Sequence, residues 1–181
     1  MHFLRIANIQ QGQKVLIYGA SGALGTMAVQ LAKNYGADLT AVCSTSNLEL
    51  MKSLGADEVI DYTKEDFSKN GKKYDVFFDT IGKSPIRKAL SSLNKNGYLL
   101  LASAGIGTMI GGSIKSIFIS KKIVSGVIKE TAEDMNFFKQ EIEKGKLKAV
   151  IDRIYTLKQM AEAHAYVDKG HKKGNVVIAI N

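Results

Sequence analysis

The chain has 181 residues, 45% hydrophobic and 23% charged, which suffices for one substantial core and is short for two. Its formal charge of +8 is spread over separate pairs, Lys72 with Lys73, Lys121 with Lys122 and Lys172 with Lys173, so a solvated basic surface is expected rather than a specific nucleic-acid groove. No run approaches the ~20 apolar residues that cross a bilayer, residues 1–9 lack a signal-peptide pattern, and one cysteine with three dispersed histidines offers no metal-ligand spacing; a cytoplasmic protein without a disulfide, metal or membrane partner is expected.

Apolar runs alternate with helical patterns at short spacing, the signature of βαβ units around a parallel sheet. Strands are predicted at Lys14 to Gly19, Leu39 to Cys43, Glu58 to Asp61, Tyr74 to Asp79, Tyr98 to Ala102 and Lys122 to Val127. Helices are predicted between them at Ala23 to Tyr35, Asn47 to Leu54 and Ser84 to Leu93, the last with Pro85 in its first turn. A helix from Ala132 to Lys144, stopped by Gly145, closes that unit. A strand near Ala149 to Tyr155, a helix from Leu157 to Lys169 and a strand from Asn175 to Ile180 form a C-terminal extension. The fold class is α/β, a doubly wound (Rossmann) parallel sheet of about six strands flanked by helices.

Chemistry concentrates at the first strand-to-helix turn, Gly19-Ala20-Ser21-Gly22-Ala23-Leu24-Gly25. Glycine recurs every third residue directly after a buried strand and before a helix. Gly22 lets backbone approach a diphosphate, Gly25 lets the helix pack on the strand, and the first helical amides near Ala23 and Leu24 point at the phosphates. Ala20 departs from the usual G-x-G-x-x-G by replacing its first glycine. A dinucleotide is the expected ligand.

Sites for NAD place an acid at the end of the second strand to hold the ribose 2′-hydroxyl. Here that end reads Cys43-Ser44-Thr45-Ser46-Asn47, with Asp38 at the far end of the strand and Glu49 inside the next helix. Hydroxyls and an amide at Ser44, Thr45 and Asn47 suit a 2′-phosphate that a carboxylate would repel, so NADPH is expected. The alternative is that Ser44 to Asn47 only caps a helix.

Together with KVLIYGASGALGTMAVQLAK, the runs LGADEVIDYTKEDF (Leu54 to Phe67), YDVFFDTIG (Tyr74 to Gly82), GYLLLASAG (Gly97 to Gly105), VIDRIYTL and GHKKGNVVI make the chain resemble the zinc-free, quinone oxidoreductase-like branch of the medium-chain dehydrogenase/reductases over nearly its whole length. The resemblance implies NADPH, with Tyr62 joining the 2′-phosphate site and the nicotinamide side lined by Thr80, Ile81 and Gly82 and by Ala102, Ser103 and Ala104. It also implies a homodimer joined along the sixth-strand edge, Lys122 to Val127, and hydride transfer to a quinone, enone or carbonyl. Family members begin with a separate barrel-like domain that supplies most of the substrate pocket. The expectation is one cofactor domain over residues 1–181 lacking that barrel and full activity, with no catalytic residue of its own. Residues 148–181 would pack on the barrel; alone they pair with each other, are covered, or fray.

Rival readings fare less well. No tyrosine is followed four residues on by lysine, as a short-chain reductase needs, and neither a GxxxxGK[ST] loop nor a G-x-S-x-G elbow occurs. A methyltransferase wants an acid at the second strand's end, and the Gly105 to Gly112 stretch reads as a loop over the nicotinamide. A non-catalytic, nucleotide-responsive binding or regulatory module is the alternative from another class.

Overall fold

Val15 and Ile17 point to one face of the first strand and Leu16 to the other, and all three have no exposed surface, so the strand lies in a sheet covered on both sides. In a computed structural model describing residues 1–102, 120–126 and 131–180, β1 (Lys14–Tyr18) is followed by α2 (Ala23–Asn34), β2 (Asp38–Cys43), α3 (Leu48–Ser53), β3 (Glu58–Asp61), β4 (Tyr74–Asp79), α4 (Ile86–Ser91), β5 (Leu93–Leu101), β6 (Lys122–Ser125) and α5 (Ala132–Glu143). A short helix α1 (His2–Ala7) precedes them. The six strands form one parallel sheet in the order β3-β2-β1-β4-β5-β6. The chain direction across the sheet reverses between β1 and β4, and ligands of such sheets bind at that reversal, beyond the carboxyl ends of the strands.

Two apolar clusters follow from the alternation. Val15, Ile17, Leu39, Ala41, Val76 and Phe78 meet α1 and α2 on one face, whereas Leu16, Val42, Phe77 and Leu99 meet α4 and Phe67 on the other. α2 contributes Ala28, Val29, Leu31 and Ala32. Complete burial of a side chain such as Val29 or Leu31 is worth about 1.5–3 kcal/mol, so packing rather than propensity fixes the helix.

Four details differ from the sequence reading. The first strand stops at Tyr18, because Gly19 turns to φ 79°. β5 starts at Leu93 rather than Tyr98; Asn96 at φ 65° and a register shift opposite Tyr74 and Val76 put an irregularity inside it, which hid its beginning behind polar residues. Pro85 is the extended N-cap of a shorter helix, not its first turn. The sequence reading gave α1 no element: it is six residues long without a side-chain cap, and is held by burial of Phe3, Leu4 and Ala7 and by an Arg5–Asp134 ion pair to α5.

The C-terminal strands, β7 (Ile151–Thr156) and β8 (Asn175–Ala179), pair with each other in parallel as a separate two-stranded sheet, connected through a capped turn at Thr156 and α6 (Met160–Asp168). Much of their apolar surface is open, Ile154 being 65% exposed. Two contacts tie this unit to the large sheet. The Gln30 side chain on α2 clasps the Lys148 peptide, donating to its carbonyl at 3.0 Å and accepting its amide at 2.8 Å. Gly174 donates its amide to the Ser21 carbonyl at 2.8 Å and forms a parallel bridge with Gly22.

Candidate functional site

Gly19, Gly22 and Gly25 have three different jobs. Gly19 carries the positive φ, and a Cβ on it would lie 2.8 Å from both Thr80 Oγ1 and Ile81 Cγ2. The role of the missing first glycine therefore falls one residue earlier than Ala20, whose side chain is buried and whose amide donates to Val42 O at 3.0 Å. A Cβ on Gly25 would come within 2.3 Å of Gly19 O, the close helix-to-strand approach that the sequence implies. A Cβ on Gly22 would meet just the Gly19 carbonyl, at 3.6 Å, so one side of this turn is open. Gly22 is also the N-cap of α2, and among the described residues no side chain caps the helix there. Among the described residues no acceptor takes the first-turn amides at Ala23, Leu24 and Gly25, and the positive end of the helix dipole lies behind them, a setting suited to an anionic acceptor.

Beside the turn lies a crevice of about 390 Å³. It gathers Ser21 and Gly22 from the turn, Ser44 and Asn47 from beyond β2, and Tyr62 and Ile81 from beyond β3 and β4. Six sequence-predicted residues are thereby brought together. Ala23 and Leu24 sit at the mouth of α2, and Thr80 is a buried tie whose hydroxyl donates to Tyr18 O at 2.9 Å and Gly19 O at 3.1 Å. Gly82 lies in the loop after β4, with its amide held by Asp79 at 2.8 Å. Ala102 directly follows β5, with its amide on Asp79 O at 3.0 Å, and packs half-buried against the core. Ser103 and Ala104, the Gly105 to Gly112 stretch and Val127 lie outside the described residues.

Thr45 is turned away from the crevice lining. Its hydroxyl donates to Asp61 Oδ2 at 2.5 Å, and the same carboxylate accepts the Thr63 amide at 3.0 Å and hydroxyl at 2.7 Å. The sequence reading found no acid at the end of β2; parallel pairing of Cys43 with Asp61 delivers one from β3. The Thr45 hydroxyl first of all, then Thr63 and Lys64, holds Asp61 below the ordinary carboxylate range against the opposing effect of burial. Its charge is therefore directed to internal donors, and among the described residues no carboxylate lines the crevice. Ser44 and Asn47 do not act as side-chain caps: the Asn47 amide donates to Ser44 Oγ at 3.0 Å, while its buried Oδ1 has no partner among the described residues. A buried acceptor without a donor costs about 1–3 kcal/mol.

Tyr62 stands half in solvent, 51% exposed, as the partition between this crevice and a second cavity of about 350 Å³ lined by Tyr18, Asp66, Phe67, Pro85 and Lys88. There the Lys88 ammonium, 2.6 Å from Asp66, together with Ser68 holds that carboxyl down at about 2.

Ser46, inside the Ser44 to Asn47 stretch singled out in the sequence, also lines the crevice, and four further lining residues were unforeseen: Cys43, Gly170, His171 and Lys172. Burial first, then Asp61, pushes the Cys43 thiol up to about 11, so it is an inert wall at neutral pH rather than a nucleophile. The other newcomers at 170–172 belong to the GHKKG segment, where two glycines flanking basic residues were the available signal. Among the described residues, no cluster of three or more His, Cys, Asp or Glu is placed to hold a metal ion, and no helix is long and apolar enough to cross a membrane.

A family model described as zinc-binding dehydrogenase matches residues 54–178. Over 180 residues the chain is 34% identical to the chloroplast envelope quinone oxidoreductase homolog of Arabidopsis thaliana, covering 97% of this chain and 55% of that protein. It is also 34% identical over 171 residues to the NADPH-dependent alkenal/one oxidoreductase of the same plant, covering 92% of this chain and 40% of that protein. Among solved structures, the quinone oxidoreductase from Coxiella burnetii superposes with a TM-score of 0.86 at 25% identity, covering 98% of this chain and 56% of that one. The chain spans about half the length of the curated relatives it matches.

Proposed function

Because this chain belongs to the zinc-binding dehydrogenase family, as a quinone oxidoreductase-like cofactor-binding domain of the medium-chain dehydrogenase/reductases, we propose that its crevice binds NADPH for a reductase acting on a quinone, enone or carbonyl. The observation carrying this is the uncapped start of α2 at Gly22, opening on the same crevice as Ser44, Asn47 and Tyr62 at the reversal of strand order. Backbone at Gly22 to Leu24 would hold the diphosphate. Ser44 with the Asn47 amide, and Tyr62 across the cleft, would hold the adenosine end with its 2′-phosphate. The names of relatives, among them an NADPH-dependent alkenal/one oxidoreductase, support the choice of cofactor.

Bound nicotinamide would supply the hydride; the protein's part is to orient the ring and exclude water. Thr80 positions the loop carrying Ile81 and Gly82 by tying it to β1. No side chain of this chain is given a catalytic role. Calorimetric titration is expected to show NADPH binding at least ~10-fold tighter than NADH, since each hydrogen bond to a charged group is worth about 1.5–3 kcal/mol. Preference for NADH, or binding of neither, overturns this reading. Tested as isolated residues 1–181, the chain is expected to oxidise NADPH with quinones at background rate, and rapid turnover would refute that part.

β6 lies at one edge of the sheet, and we extend the proposal to a homodimer formed by pairing of this edge with its copy. Light scattering at micromolar concentration should give twice the chain mass; a monomer rules the pairing out.

A further inference from the structure

An acid stands directly behind the crevice wall. Asp61, the last residue of β3, is paired in register with Cys43, the last residue of β2, and is followed in the chain by Tyr62; Cys43 and Tyr62 both line the crevice. The carboxylate is thus one residue removed from the cleft on two sides, beside the strand end from which an acid reaches a ribose 2′-hydroxyl in sites for NAD. Donors from two loops hold it back. Thr45, after β2, gives its hydroxyl to Oδ2 at 2.5 Å, and Thr63, after β3, gives Oδ1 its amide at 3.0 Å and its hydroxyl at 2.7 Å. The two hydroxyls lie 3.3 Å apart, and the Lys64 ammonium stands 3.8 Å from Oδ2. Both threonines are exposed, whereas the Asp61 side chain beneath them is 5% exposed, so the pair forms a cover over the carboxylate.

An ionised acid presented to the cleft here would accept from a ribose hydroxyl and repel a 2′-phosphate, the opposite of the choice proposed for this crevice. With internal donors on each oxygen and a cation alongside, the acid presents neither an open acceptor nor an unopposed charge to a ligand. Resting on the NADPH reading of this crevice, we infer that Thr45 is a specificity-determining positioning residue, which keeps the Asp61 carboxylate turned away from the dinucleotide so that Ser44 and the Asn47 amide receive a 2′-phosphate unopposed. Thr63 is its partner in the cover. Thr45 acts through Asp61, and its removal should matter just as long as residue 61 carries a charge.

That dependence makes a double-mutant cycle the test. Thr45→Ala, Asp61→Asn and the two combined, with Thr45→Ser as the conservative variant, are each titrated with NADPH and with NADH in the full chain, and each is melted. Thr45→Ala is expected to lower the ratio of NADPH to NADH affinity at least ~10-fold, as a uncovered like charge a few ångströms from a phosphate should. Thr45→Ser keeps the donor and should keep the parent ratio. In the Asp61→Asn background the same Thr45→Ala change is expected to move the ratio by less than about threefold, because no charge is left to uncover. A fall that persists in that background would mean that Thr45 meets the phosphate itself, and it overturns the inference. So does an unchanged ratio in Thr45→Ala, or an equal loss of both nucleotides, which marks a purely structural tie. Should Thr45→Ala fail to fold, Thr63→Ala, which strips a hydroxyl from the other oxygen, is judged by the same outcomes. Each of these results, obtained with an unaltered chain that prefers NADPH, bears on Thr45 alone; an unaltered chain that prefers NADH or binds neither overturns the cofactor reading as well.

Discussion

Gly25→Ala is expected to destabilise the chain by ~3 kcal/mol or more, lowering its melting temperature by roughly 6–12 °C for a domain of this size. The added Cβ would lie 2.3 Å from Gly19 O and 2.6 Å from the carbonyl carbon and oxygen of Ala20. All three are backbone atoms of the turn, so no side chain can swing aside to make room. Alanine is the better helix former by about 1 kcal/mol, which is too little to offset a clash that pushes α2 off β1. Gly22→Ala separates folding from binding. Its φ of −76° is open to any residue, and the new methyl would meet Gly19 O at an ordinary 3.6 Å. Its melting temperature should hold within a few degrees, while nucleotide affinity falls because the methyl occupies the approach to the first-turn amides. Thermal melts paired with NADPH titration check both. A Gly25→Ala protein as stable as the parent would mean that α2 is not pinned to the turn, and the packing argument would fail.

The parts legible in the sequence are those whose signal is local. β1, β2 and β4 are short, largely apolar runs bounded by polar or glycine residues, and burial on both faces makes such runs nearly continuous. The glycine turn was legible for the same reason, since strand, turn and helix follow one another directly. What escaped the sequence is carried by contacts between distant segments. Asp61 reaches the end of β2 through strand pairing with Cys43, so a search along β2 alone misses the acid that engages Thr45. Lys172 enters the crevice through the bridge between Gly22 and Gly174, which no spacing rule reports. The Gly19 assignment escaped because the motif fixes which residues are glycine and leaves open which of them takes the positive φ. α1 lacks a cap and is too short for its period to show; tertiary burial of Phe3 and Leu4 holds it.

Asp79 shows how much of the crevice wall depends on one buried group. At the end of β4, with 1% of its surface exposed, it accepts four hydrogen bonds: Ile81 N at 3.0 Å and Gly82 N at 2.8 Å on Oδ1, and Ser84 N at 2.9 Å and Ser84 Oγ at 2.6 Å on Oδ2. The carboxylate thereby folds the loop that presents Ile81 to the crevice and releases the chain into α4 through Pro85. Asp79→Ala would strip three backbone amides and a hydroxyl of their acceptor at once. Each polar group left unpaired in a buried setting costs about 1–3 kcal/mol, and allowing for partial access of water a loss of ~3–5 kcal/mol is expected. Asp79→Asn should fall between, because its amide oxygen can still accept from Ile81 and Gly82 while its NH2 faces the Ser84 amide donor to donor. Nucleotide affinity should follow the same order, parent above Asn above Ala, when measured at a temperature where all three are folded. If Asp79→Ala kept both the parent's melting temperature and its affinity, the loop after β4 would be held by other contacts, and Ile81 would not owe its place in the crevice to this carboxylate.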